Sequence, residues 1–428
     1  MTGGGRLAVA VRLPELLRQR PFRRYWSGQT ASFFGDQVTF LAVPLAAVLV
    51  LHVDAVEMGW LSTAGLLPAL LFSLAAGAWA DGRGRRRQMM IAADLGRAAL
   101  MVSIPVAYAL GHLTLVQMYG VVFLVGTLSV VFDVCNVTLF VSLVEPEQYV
   151  RGNTLVNGSR ALSFVAGPSV GGLLVQVLAA PLALLVDTLS YVWSAGLLAR
   201  IAPVEPPPAE PRKGHFSAGL RFVADSRSLR ALVAGAATVN FFNFVFHALM
   251  VLYAVDQLGL SAGTLGVVLG AGAVGGLVGA FVTGRVVRAI GIGPTVLLGF
   301  VAFPAPLVLV PLAGGPKPLV LAALFGAEFL SGIGLMLLDI GSGSLQAALI
   351  PDALRSRVSG AFRMVNYGVR PLGALAGGLL GSSFGVRATL GVAAVGGVLG
   401  VLWVLPSPVP RMRELPVGAG GGPASGAG

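Results

Sequence analysis

Twelve apolar runs, each long enough to cross a bilayer, constrain this chain more than any other feature. A membrane-spanning helix needs roughly 20 mostly apolar residues. Runs of that kind cover residues 26–51, 56–80, 88–110, 113–144, 154–178 and 181–198. After a polar stretch they resume at 229–255, 262–287, 293–312, 318–350, 358–384 and 387–405. The runs that begin at Leu113 and Pro318 exceed one span, so their ends are expected to project into the cytoplasm. Only 11% of the 428 residues are charged and 56% are hydrophobic. A soluble domain carries about a quarter charged residues to cover its wet surface; here the surface must face lipid. The 59 glycines suit helices that approach one another closely in a bilayer.

The net charge of +11 raises the question of a nucleic-acid partner, and its distribution argues against one. The basic residues stand in short clusters between apolar runs, with no basic face interleaved with aromatics. They read as a topology signal. With the N-terminus inside, the inner segments carry Arg6 to Arg24, Arg83 and Arg85 to Arg87, Arg151, and Arg200 to Arg230. They also carry Arg285, Arg288, Arg355, Arg357, Arg411 and Arg413, whereas the outer loops hold only Lys317 and Arg387. That asymmetry predicts a multi-pass inner (plasma) membrane protein with both termini in the cytoplasm. Residues 1–24 are basic and lack the short apolar core and cleavage site of a signal peptide. Cys135 is the only cysteine, which excludes an intrachain disulfide.

Two halves are legible. Gly77, Ala78 and Gly82-Arg83 match Gly279, Ala280 and Gly284-Arg285 at an offset of 202 residues. Arg160 and Pro168 match Arg363 and Pro371 at 203, and Pro146 matches Pro351 at 205. Such repetition is the mark of duplicated six-helix units. The expected organisation is a cytoplasmic N-terminal segment (1–24), a first bundle (25–200), a cytoplasmic linker (201–228), a second bundle (229–405) and a disordered cytoplasmic tail (406–428). The linker opens with Pro203, Pro206, Pro207 and Pro208. Its amphipathic stretch 216–224 is expected to lie as a helix on the inner membrane surface.

Between the second and third spans stands Gly77-x-x-x-Asp81-x-Arg83-Gly84-Arg85-Arg86-Arg87. On this motif the chain resembles the major facilitator superfamily, whose signature at this loop is a glycine, an acid four residues on, and Gly-Arg-Arg/Lys. The glycine would let a neighbouring helix pass close, and the acid could face a helix N-terminus or an arginine. The arginines would meet anionic lipid. In the second-half copy Thr283 replaces the acid, which implies an asymmetric gate. Gly167-Pro168-x-x-Gly171-Gly172 resembles the glycine-proline motif of that superfamily's proton-coupled antiporters, although Ser163 stands where another glycine is expected. Asn153 to Arg160, with Asp94-x-x-Arg97 and Gly35-Asp36, resembles the branch of enterobactin exporters and macrolide-efflux-like proteins. Asn136 departs from that branch, which often has an arginine there. The fourth run also lacks the arginine motif associated with proton transfer in drug antiporters.

Polar residues inside spans are costly and normally face a cavity or a partner; an acid at a helix centre costs roughly 2.5–3.5 kcal/mol on insertion scales. In the first run Gln29, Ser32, Asp36 and Phe40 share a helical face, and in the fourth Ser129, Asp133 and Asn136 do. The seventh offers Asn240, Asn243 and His247, and the tenth Glu328, Gly332 and Asp339. The resemblance implies a central cavity lined by these four helices, with Phe132, Phe241 and Phe244 as aromatic wall. Asp36 and Glu328 are the candidates for proton or cation coupling, because a carboxylate shielded from water can take up and release a proton as the cavity opens and closes. Asp94 and Arg97, three apart on one helix, can pair, and are expected to support the inner gate. Arg160 and Arg363, at duplicated positions, suit gate contacts across the halves, together with Gly77, Asp81, Arg83, Gly84, Arg85, Arg86, Gly167 and Pro168. Asp339 reads as structural, His247 as a core histidine, and Arg370 is without an assigned role.

No phosphate loop, metal-ligand set or nucleophile motif is present, so no enzyme activity, cofactor or metal is expected. The fold expected is an all-α polytopic membrane protein of twelve transmembrane helices in two pseudo-symmetric bundles. The function expected is secondary export of a small amphipathic molecule by alternating access and proton antiport. A siderophore or dedicated natural-product exporter is the alternative, followed by a nutrient importer or a non-transporting receptor. The partners implied are a small-molecule substrate, a coupling ion and the bilayer.

Overall fold

The computed structural model describes residues 15–203, 216–351 and 354–415 of the chain, without the side chains of 74, 78, 81, 216–220 and 356. Among these residues there is no strand. Twelve long helices form the body. In the first half they are α1 (Arg20–Leu51), α2 (Ala55–Arg83), α3 (Arg86–Ala109), α4 (Leu115–Leu143), α5 (Tyr149–Leu178) and α6 (Ala180–Ala199). In the second half they are α7 (Arg227–Leu252), α8 (Ala262–Ile290), α9 (Ile292–Leu312), α10 (Lys317–Leu349), α11 (Arg355–Phe384) and α12 (Val386–Val404). All but α11 contain a stretch long and apolar enough to cross a membrane. Helix α11 carries four arginines, Arg355, Arg357, Arg363 and Arg370, and packs among the others as the twelfth.

The helix ends obey capping chemistry, which matters where lipid supplies no partner for a free amide. Asp54 and Glu57 form a reciprocal capping box at the start of α2. Thr114, Ser226 and Ser261 cap α4, α7 and α8. Gly84 ends α2 at φ 63°, a left-handed conformation that favours glycine. The α2–α3 link is thereby held to two residues, Gly84 and Arg85.

Two sequence expectations change at the edges of this body. The tail was expected to be disordered from residue 406, yet residues 406–415 are ordered against α9. Ile292 and Gly293 at its start donate backbone hydrogen bonds to the carbonyls of Arg413 and Met412 (3.1 and 2.8 Å). The first amides of a helix have no partner within it, and this segment supplies one; Val409 is buried beside them. The fifth helix begins at Tyr149, five residues before the apolar run. The linker contributes a surface helix, Phe216–Asp225, whose Val223 joins Val358 and Phe362 of α11 in one apolar cluster.

Within the first half α1 packs along α5 and α6, and α2 and α3 flank α4; in the second half α8 and α10, α7 and α11, and α9 and α10 pair. The halves meet through α5 with α8 and α2 with α11. Both meetings concentrate on the side of the membrane opposite the termini. Near the end of α5, Gly172 lies against Ala262 and Gly266 in the first turns of α8, and a Cβ on Gly266 would overlap the Pro168 carbonyl. Near the start of α2, a Cβ on Gly59 would stand 2.8 Å from the Gly378 Cα. Backbones that approach so closely leave no room for any side chain.

On the terminal side the same helices part. A Cβ placed on Gly77 of α2, Gly158 of α5 or Gly360 of α11 would meet no described atom within 4 Å, and Ala161, Ala280 and Ser359 here line an open cavity. The two halves thus form a V, sealed on one side and open on the side that carries Glu15 and Leu415, the first and last described residues. That open side also bears the basic links: Arg83 to Arg87 between α2 and α3, Arg285 and Arg288 at the end of α8, and Arg355 and Arg357 at the start of α11.

Candidate functional site

A cavity of about 1130 Å³ occupies the mouth of the V. Its wall comes mainly from α7, α8, α10 and α11, with Gln37 and Phe40 from α1 and Phe164 and Pro168 from α5. Of the residues singled out in the sequence, Phe40, Asn240, Asn243, Phe244, His247, Glu328, Gly332, Asp339, Arg363 and Arg370 stand on this wall. Asn240 donates to Asn366 (3.1 Å), linking α7 to α11. Arg370 spreads over the Tyr367 and Phe244 rings at 4.3 and 5.2 Å.

The expected cavity set is corrected in the first half. Gln29, Ser32 and Phe132 are buried inside it and off the wall. The reason for Gln29 lies one turn away: Tyr25 donates to Asn136 of α4 at 2.8 Å, so α1 and α4 close over that end of the polar face. Phe132 lies under the guanidinium of Arg97 at 4.4 Å. Asp133 is exposed and Asn136 half-buried, and neither lines the cavity. Phe241 also leaves the set. It packs edge-on against Phe242 at 5.2 Å, and its backbone carbonyl abuts Gly373 of α11.

Asp36 stands in a network that belongs to the first half alone. It is exposed on α1 and accepts a hydrogen bond of 2.9 Å from the buried Tyr191 of α6. The Tyr191 ring lies against Arg97 at 4.3 Å. Arg97 pairs with Asp94, both buried, as their spacing implied. Ser129 accepts a further bond from Arg97 at 3.3 Å.

One acid in this network escaped the sequence reading. Asp187 of α6 is fully buried, accepts from the Thr39 hydroxyl of α1, and lies 3.0 Å from the Ser190 hydroxyl. Gly35 makes room for it, since a Cβ there would overlap the Asp187 carboxylate. The signal was available, because Asp187 is a lone acid in an apolar span, the feature that singled out Asp36 and Glu328.

The motif residues divide by function in the fold. Gly172 sits in the contact between halves, whereas Gly167 accommodates Gln37 of α1 within the first half. No described atom lies within 4 Å of a Cβ placed on Gly77, so its expected close approach is not made here; the V is open at that end. Asp81 lies outside the described side chains. Arg83 covers the Trp79 ring at 4.6 Å, Arg85 is exposed and Arg86 buried. Arg160 lies over Phe33 of its own half at 5.1 Å, and Arg363 stands on the cavity wall. Among the described residues neither arginine makes the contact across the halves that the repeat suggested.

The sequence profile of the Major Facilitator Superfamily matches residues 25–370. The chain belongs to that superfamily. It is a multi-pass membrane transporter by family and fold. The multidrug efflux pump Tap of Mycolicibacterium fortuitum is 27% identical over 404 residues, covering 89% of this chain and 93% of the pump. Among solved structures, a bacterial homologue of the iron transporter ferroportin in an inward-facing state matches with a TM-score of 0.73 at 19% identity. It covers 92% of this chain and 99% of its own. The nucleoside transporter NupG (D323A mutant) matches with a TM-score of 0.75 at 11% identity, over 90% and 99% of the two chains. Superfamily transporters work by moving two such halves about a site between them.

Proposed function

We propose that this transporter exports a small amphipathic molecule from the cytoplasm across the plasma membrane, in exchange for protons. The observation that carries the reading is a cavity of about 1130 Å³ open toward the arginine-bearing links and sealed on the other side. Positive loops mark the cytoplasmic face, so the cavity faces the cytoplasm in this state. Apolar and aromatic wall with a few convergent polar groups suits an amphipathic cargo. The efflux activity named for the Mycolicibacterium relative agrees in direction.

Asp36 and Glu328 are the acids through which protons pass. Each is an ionisable group within a span, where such residues are retained for function. Asp36 is held by a tyrosine that its proton would compete with, so proton binding can be felt in the packing of α1 on α6. The rocking motion would part Gly172 from Gly266 and Gly59 from Gly378 while closing the arginine-bearing side.

The test is accumulation of fluorescent amphipathic compounds in inverted vesicles with a pH gradient imposed and then collapsed. Gradient-dependent accumulation that disappears in the Asp36→Asn, Glu328→Gln double variant is the expected outcome. Energised accumulation that survives both amides would overturn proton antiport through these residues. Accumulation driven only in right-side-out vesicles would overturn the direction.

A further inference from the structure

Two charged side chains of the cavity wall, Glu328 and Arg370, keep a buried polar atom without a hydrogen-bond partner among the described residues, and of the two only Arg370 has ring faces against its charge. Glu328 is only 7% exposed, and its Oε1 has no hydrogen-bond partner among the described residues. A buried carboxylate left without a donor or a cation is strongly unfavourable. Membrane proteins retain such groups where a ligand completes them.

The other charged and titratable groups on the wall do not supply the missing partner. Arg370 is spread over Tyr367 and Phe244, and no ion pair between it and Glu328 is formed among the described residues. Arg363 stands two helical turns nearer the open mouth, exposed. From α7 the nearest titratable group on the wall is His247, and from α8 Glu328 meets Gly272, whose missing side chain leaves the carboxylate room. Asn243 of α7 presents a second buried acceptor, Oδ1, also without a partner.

Depth places these groups at the closed end of the cavity. Glu328, Gly272 and Phe40 each lie ten or eleven residues from the end of their helix on the sealed side. That is about 16 Å at 1.5 Å per residue. The first-half acids Asp36, Asp133 and Asp187 are not on this wall.

We infer that the cargo is an organic monocation, a protonated amine on an aromatic or apolar body, seated on the second half with its ammonium against Glu328 at the closed end of the cavity. This rests on the exporter reading and names its substrate class. The ammonium answers Glu328 Oε1 and Asn243 Oδ1, both acceptors, and ammonium-to-carboxylate bonds are the strong, charge-assisted kind. Phe40, Phe164 and Phe244 supply ring faces for the body of the molecule and for its charge. Proton and cargo are then alternatives at Glu328, so the carboxylate is never left bare.

Equilibrium binding to the purified full-length protein tests this without a gradient, separately from transport direction or proton coupling. Three dansyl probes of matched length differ only in charge: dansylcadaverine (ammonium), N-hexyl dansylamide (neutral) and dansyl-6-aminohexanoate (carboxylate). The expected result is that the ammonium probe binds at least tenfold tighter than the other two. Glu328→Gln should remove that preference, lowering ammonium affinity at least tenfold and leaving the neutral probe within twofold. Asp256→Asn, which deletes an exposed acid outside the cavity, should change nothing. Equal binding of the three probes to the unaltered protein, or undiminished ammonium binding in Glu328→Gln, would sink the assignment. If Glu328→Gln does not fold, the charge series on the unaltered protein and on Glu328→Asp decides alone.

Discussion

In the first half, buried charge is answered inside the bundle: Asp94 by Arg97, Asp187 by Thr39 and Ser190, and Asp36, at the rim, by Tyr191. In the second half, Glu328 is buried to a similar degree and meets no donor among the described residues. The same residue type therefore plays different parts in two copies of one architecture. Where a neighbouring helix supplies the counter-group, the acid holds the bundle together. Where the facing helix presents no donor, as at Gly272 beside Glu328, the acid is left for something that arrives from outside. The geometry of the cavity follows the same division, since its wall is drawn mostly from the second half.

The sharpest way to break this comparison is to remove a counter-group. Arg97→Gln leaves Asp94 buried without its partner, and breaking a buried pair costs about 3–5 kcal/mol. A large fall in melting temperature, or loss of folded protein, is expected; an unchanged melting temperature would mean that the first-half network is not structural. A smaller effect should come from the seal between the halves. Gly266→Val drives a side chain into the Pro168 carbonyl, and overpacking of this kind costs about 1–3 kcal/mol. Because the strain exists only while that side is closed, it should shift the population toward the opposite state. A disulfide between cysteines placed at Gln176 and Gly263, which touch in this state, should form less completely when Gly266→Val is added.

Tyr191→Phe removes a single hydrogen bond to Asp36, with an expected stability loss of about 1 kcal/mol. Differential melting would register it as a small decrease, paired with an altered pH profile of transport. At the far end of the scale, Glu328→Gln should leave the melting temperature unchanged or slightly raised, since the amide relieves a buried unpartnered charge. A loss comparable to that of Arg97→Gln would erase the distinction between the halves.

Much of this was legible in the chain. The twelve spans follow from hydropathy because a bilayer admits only helices whose backbone groups are satisfied internally. Helix α11 was read from its apolar run 358–384, although the arginines at 355, 357, 363 and 370 lower the hydropathy of the helix as a whole. The Asp94–Arg97 pair was legible because both partners sit on one helix, where spacing alone brings them together. Partners on different helices were not. Nothing in the first run says that Asp36 meets Tyr191 or that Thr39 meets Asp187, because those contacts depend on how α1 rotates against α6. Gln29 and Ser32 were placed on the cavity by a correct helical face and were taken off it by the approach of neighbouring helices.

The sequence by itself determined the membrane environment, the number of spans, the duplicated halves and the family signature. Each is a property of local composition or of repetition along the chain, and lipid imposes it without reference to tertiary contacts. Only the tertiary structure decided which side is sealed, which half forms the cavity wall and which buried acid stands alone. Those are relations between helices distant in sequence, set by where glycines let backbones meet and by which side chains then fall within reach of a charge.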